Sequence, residues 1–116
     1  MGMIVEACQR AVEALERAGI RATVEARDVN PPGAWIAPAR VDSWDYCTGG
    51  AVHLDIILLA PDHGATIAIA TLEGMLEPAL DALAEDDISV GTVDLRETAT
   101  LSGQGPVPAF RITAQA

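Results

Sequence analysis

The chain has 116 residues, half of them hydrophobic but only 3% aromatic, and its 17 acids against 7 bases leave a formal net charge of −10. A chain this long forms one domain and hides about two-thirds of its open-chain surface on folding, so a core forms without staples. That core must be built from Ala, Val, Ile and Leu, and the composition excludes a disordered chain.

Every base is Arg and there is no Lys. Such a balance argues against direct nucleic-acid binding, which needs cations to displace counterions from phosphates, and equally against an anionic membrane surface. The longest apolar run, residues 56–61, falls far short of the ~20 residues that a bilayer span needs. No basic stretch precedes the first apolar residues, so no secretory signal is expected. Cys8 and Cys47 make no disulfide framework, which suggests reduced thiols in a cytoplasm-like compartment.

In chain order, residues 3–18 predict a helix. Ile4, Cys8, Ala11, Leu15 and Ala18 make its inner stripe, and Val5 and Val12 widen it. Glu6 and Arg10, and Glu13 and Arg17, are spaced as surface pairs on the opposite face, and Gly19 ends the helix. Residues 21–29 alternate as a strand with one wet face, until Asn30, Pro31, Pro32 and Gly33 break the ladder. A second strand covers residues 34–44, with Trp35, Ala37, Ala39 and Val41 on one side and Ile36, Arg40 and Asp42 on the other. Pro38 inside it predicts an edge, a bulge or a break.

After a loop at residues 45–50, residues 51–60 predict a third strand. Val52, Leu54, Ile56 and Leu58 form its apolar face; the other face begins with His53 and Asp55 and ends with Ile57 and Leu59. A second helix follows, with Asp62 as its N-cap. Ile69, Leu72, Leu76, Ala79 or Leu80, and Leu83 form its stripe, and Glu73, Glu77, Asp81 and Glu85 an acidic ridge. Pro78 predicts a kink. Residues 88–100 alternate with a change of register near Gly91, residues 102–105 turn, and residues 106–114 form the last strand. The order α-β-β-β-α-β-β predicts an α+β two-layer sandwich: a three-strand meander and a hairpin in one mainly antiparallel sheet, with both helices on one face.

Chemistry-bearing patterns are sparse. No C-x-x-C or H-E-x-x-H spacing marks a metal site, no G-x-S-x-G marks a nucleophile, and Gly49–Gly50 precedes a strand rather than a phosphate-binding helix. His53 and Asp55 share a strand face, and Cys47 with His53 is the one Cys–His pair close in sequence. A small dimeric enzyme would bring these three into one pocket. Paired carboxylates such as Glu73 and Glu77 read as a solvated ridge. The unusual segment is the middle one. Trp35, Trp44 and Tyr46 cluster there with Pro38, Arg40 and Asp42, and aromatics with Arg are what interfaces favour. The competing reading is that the two Trp cap the open end of the sheet.

Four stretches carry a resemblance: Pro31, Pro32, Gly33, Ala34, Trp35 and Ile36; residues 51–59; residues 72–83; and Pro108, Ala109, Phe110, Arg111 and Ile112. In their order and character they resemble the tail terminator proteins of long-tailed bacteriophages, over essentially the whole chain. The resemblance implies a non-enzymatic virion protein without cofactor or metal, forming a homo-oligomeric ring, commonly a hexamer. The ring would cap the tail tube at the head–tail junction, meet the tail tube protein and the head–tail connector, and let DNA pass without specific binding. Assembly would take place in the host cytoplasm, with no membrane involved. A head-completion or neck adaptor of the same junction, or a small acidic binding module, are the alternatives. The expected interface residues are Trp35, Arg40, Trp44 and Tyr46 on one patch and Glu73 and Glu77 on the other, with contacts setting register more than affinity.

Overall fold

A computed structural model describes residues 2–25, 28–45, 49–61, 64–100 and 106–116; residues 42–45, 49, 50, 65, 96–100, 106 and 107 are described as backbone. Its elements are α1 (Met3–Arg17), β1 (Ala22–Thr23), β2 (Gly33–Asp45), β3 (Gly49–Leu59), α2 (Ala65–Glu85), β4 (Ser89–Thr100) and β5 (Pro106–Gln115). The strands form one five-stranded sheet in the order β1-β2-β3-β5-β4. Every pairing is antiparallel except β1 with β2. The α+β two-layer sandwich expected from the sequence is therefore the fold.

Both helices lie on one face of the sheet. Alternation along β3 sends Val52, Leu54, Ile56 and Leu58 to that side, where they join Ile36 of β2 and Phe110, Ile112 and Ala114 of β5. Leu15 of α1 and Leu72 and Leu83 of α2 pack onto them. The helix surfaces between are largely alanine: Ala7, Ala11 and Ala14 on α1, and Ala68, Ala79 and Ala82 on α2. Such small residues let the helices settle close to the sheet. No polar or charged residue is buried among the described residues. β3 starts half-buried on its second face and ends with Leu59 wholly buried, as the sequence pattern suggested.

The meander expectation fails at β1. The alternating run 21–29 supplies only Ala22 and Thr23 to the sheet, parallel to Ala34 and Trp35. The Thr23 hydroxyl accepts the Glu25 N–H at 3.0 Å, and the Asp28 N–H bonds the Glu25 carbonyl, so the chain turns off after two residues. Parallel neighbours need a crossover. Here the described part of the connection lays Val29 on Leu59 and Ala109, on the helix-free face. Gly33 receives it where space is tight, since a Cβ there would stand 3.0 Å from the Asn30 carbonyl oxygen.

Pro38 does produce a bulge. The register slips between Pro38 and Arg40, and this inverts the faces expected beyond it. Val41, opposite Val52, joins the helix side, whereas Arg40, opposite His53, goes to the open face with Trp35. In β4 the register changes between Val90 and Thr92, at Gly91 as expected, and again between Asp94 and Glu97.

α2 differs from its sequence reading at its start and in its inner stripe. Gly64, with φ 100°, occupies the cap position without a side-chain cap bond, and Asp62 lies outside the described residues. Ile69, placed in the inner stripe, is 53% exposed. The helix runs on through Pro78 to Glu85; Pro78 and Gly74, whose carbonyl loses its partner there, are both on the solvent side. Across the helix pair, Arg17 forms an ion pair with the Asp86 carboxylate and Arg10 donates to the Asp86 carbonyl, satisfying the C-terminal end of α2.

The registers also set the outline. β5 pairs with β3 from Leu59 to His53, while β2 and β3 continue together to Asp45 and Gly49. At the other end β4 and β5 continue past the end of β3 to Thr100 and Pro106. Two two-stranded arms therefore leave the core in opposite directions, and the molecule measures 49 × 28 × 22 Å. Its surface of 6678 Å² exceeds the roughly 6,000 Å² expected for a compact chain of this mass.

Both helices end in the same turn, with the residue after the last turn at positive φ: Gly19 at 84° and Asp87 at 58°. Replacing Asp87→Gly removes a left-handed cost and is expected to stabilise the fold by about 0.5–1 kcal/mol in denaturant melts. Gly33→Ala is expected to lower stability by more than about 1 kcal/mol, because the Cβ meets backbone rather than a movable side chain.

Candidate functional site

The open face of the sheet carries the residues that the sequence singled out for chemistry. Registers place Arg40, His53, Gln115 and Ser89 in one row, Asp55 and Thr113 in the next, and Ile57, Arg111 and Asp94 beyond them. Arg111 and Asp94 approach to 3.6 Å across that face, both substantially exposed. His53 and Asp55 are half-buried neighbours, and Cys47 lies outside the described residues. Among the described residues no group of three or more His, Cys, Asp or Glu is placed to hold a metal ion. Cys8 is buried in the α1 core, where desolvation pushes its thiol above its usual range, so it behaves as a small apolar residue.

Of the residues expected at an interface, Trp35 and Arg40 lie on the open face and Glu73 and Glu77 in the helix layer. Trp35 is half-buried and committed to its own chain: its ring packs with Val29, Leu59, Ala109 and Ile57, and its Nε1 donates to the Val24 carbonyl at 3.2 Å. The ring thus closes the end of the open face and pins the crossing segment. Arg40 is exposed on the same face. Trp44 belongs to the β2 arm as described backbone, and Tyr46 lies outside the described residues. Glu73, Glu77 and Asp81 are exposed on α2, in the helix layer on the other side of the sheet. Arg40 and the acidic ridge therefore belong to opposite faces of one molecule.

A different pattern emerges from the exposed apolar side chains. α1 covers β1, β2 and β3, and α2 covers β3, β5 and β4, so each helix leaves one flank at a lateral margin of the sandwich. At the α1/β1 margin, Val12, Ala22, Thr23 and Val24 line a shallow groove of about 350 Å³ together with Gln9 and Glu13, and Val5 stands on the same flank of α1, two turns before Val12. At the α2/β4 margin, Leu80, Ala84, Ile88 and Val90 line a second groove of about 450 Å³ with Asp87 and Ser89. Ile69 lies farther along the same flank of α2, and Leu95 farther along β4. Val5, Val24, Ile69, Val90 and Leu95 are exposed by 36–58%. Sequence reasoning missed this second margin because it assigned Ile69 to the core. The signal was the all-round apolar run at residues 67–70, since a helix apolar on every side has another surface to meet.

A scan of protein-family models gives no match to the chain, and a search of curated proteins gives none either. No helix of the described residues is long and apolar enough to cross a membrane.

The Trp35 geometry separates an internal role from an intermolecular one. Trp35→Ala is expected to cost about 2 kcal/mol of folding stability, below the full-core range because the ring is half-buried. Trp35→Phe, which keeps most of the packing but loses the bond to Val24, is expected to cost about 1 kcal/mol. Chemical denaturation of the dilute chain measures both; unchanged stability with lost self-association would instead assign the ring to an interface.

Proposed function

We propose that this chain is a structural protein of a phage head–tail junction. It assembles side by side into a ring at the head-proximal end of the tail tube, ends tube growth, and joins the tail to the head connector. The observation that carries this reading is the pair of arms. The β2–β3 and β4–β5 arms leave a small core at opposite ends, so one copy can reach a partner below it and a different partner above it. A lateral ring of such copies offers one set of arms to the tube protein and the other to the connector. The arms fit a neck adaptor of the same junction equally well, and the two readings differ in which partner each arm meets.

The charge fits a passage for DNA. A net charge of −10 per copy and the absence of Lys make a wall to which phosphates do not adhere. In this reading the protein makes and breaks no covalent bonds and acts by geometry alone. A small acidic binding module is the second reading, favoured by the exposure of Glu73, Glu77 and Asp81 together on α2. It requires a monomer with one acidic face.

Light scattering after size exclusion, followed by negative-stain imaging, separates them. The ring reading predicts closed particles whose population rises with protein concentration. Salt should favour them, because screening relieves repulsion between copies that each carry −10. A chain that stays monomeric at every concentration and salt level, alone and with tail tube protein, overturns it.

A further inference from the structure

Resting on the ring reading, we infer that the contact between copies joins the two lateral margins heterologously: the α2/β4 margin of one copy receives the α1/β1 margin of the next. The occupant of each apolar margin is thus a second copy of this chain. Three observations carry the inference.

The first is strand direction. β1 runs parallel to β2, and the antiparallel succession β2, β3, β5, β4 makes β4 run opposite to β1. A neighbour set beside β4 in the same orientation therefore presents an antiparallel strand, and its α1 comes to lie beside α2. Both layers of the sandwich continue across the boundary. Equal orientation of successive copies is what a cyclic ring requires.

The second is the level of the apolar side chains. Ala22 stands level with Ala34, hence through the registers with Leu58 and Phe110. The paired residues of β1 end at Thr23, level with Trp35, Ile57, Arg111 and Asp94, and the exposed Val24 follows directly. Ala34, Ile36, Ile112 and Val93 all belong to the helix-side core. The exposed Val24 of one copy, which shares its groove with Val12 of α1, thus arrives at the stretch of β4 that carries Val93, Asp94 and the exposed Leu95 of the next. The β1 edge is only two residues long, so side chains rather than a backbone ladder carry the contact.

The third is charge. Arg21 stands level with Gly33, which registers with Leu59, then Ala109, then Glu97. The exposed Arg21 of one margin therefore falls at the register height of the Glu97 backbone on the other. In a molecule with an excess of acids, this match fixes which margin meets which and at what height.

Leu95→Glu places a charge in the contact while leaving an exposed position of the fold. It is expected to weaken assembly by at least roughly tenfold, with an unchanged melting curve. Arg21→Glu and Glu97→Arg are each expected to weaken it by roughly two- to fivefold, and the double variant to recover most of that loss. Mixing a Val24→Cys chain with a Leu95→Cys chain, both in a Cys47→Ser background, is expected to yield an oxidised pair that neither forms alone. Rings that persist in Leu95→Glu, or a double charge variant no better than its singles, overturn this contact and leave the ring reading standing. A wild-type chain that never assembles removes both.

Discussion

One face of a single sheet is buried and the other is not, and the rest of the molecule follows from that asymmetry. Ile36, Leu54, Ile56, Leu58 and Ile112 are fully buried under Leu15, Leu72 and Leu83. Each such side chain contributes about 1.5–3 kcal/mol relative to exposure, and no polar or charged residue is buried as a whole among the described residues. The central strands β3 and β5 are held from both sides in the sheet and from above by the helices. The opposite face keeps Arg40, His53, Asp55, Asp94 and Arg111 half-buried or exposed, and Val29 and Trp35 close one end of it.

Two helices over five strands leave margins. Alanine on the inner stripes brings α1 and α2 close to the sheet, and Asp86, bound by Arg10 and Arg17, ties them to each other. The pair sits centrally, and the outer flanks of both helices are left to solvent or to a neighbour. Five of the seven large apolar side chains exposed among the described residues fall on these margins, Val5 and Val24 on one and Ile69, Val90 and Leu95 on the other; the remaining two are Ile4 and Ile67. The edge strands themselves are poorly suited to open-ended pairing: β1 is short, β4 carries two bulges, and the free part of β2 carries Pro38 and a bulge. Association by side chains at the margins, with register set by charge, is compatible with a closed ring and resists a sticky edge.

Much of this was legible in the sequence. Period-two patterns in residues 51–60 and 88–95, and the helical stripe of residues 3–18, reported real burial, because core side chains dictate which face a residue takes. The register change at Gly91 was legible because Val90, Thr92 and Val93 break alternation there. The parallel β1 was not, since alternation at residues 21–29 reflects a short strand and a crossing segment whose Val29 is buried on the other face. Nor was the face inversion after Pro38: the proline announced an irregularity but not its size. For the candidate interface, the acidic ridge was read as exposed and is. Trp35 stood out by its side-chain type, yet its nearest duties are to Val24, Val29 and Leu59 of its own chain. The margins themselves depend on which helix covers which strands, and a linear pattern does not carry that information.

Hydrogen exchange of the backbone amides, compared between dilute and assembled protein, tests the account most directly. Lateral contact between margins predicts that amides of residues 22–24 and 89–95 slow together on assembly, while those of the Glu73–Glu77 turn of α2 keep their rate. Assembly that slows the α2 ridge and leaves both margins unchanged would contradict it.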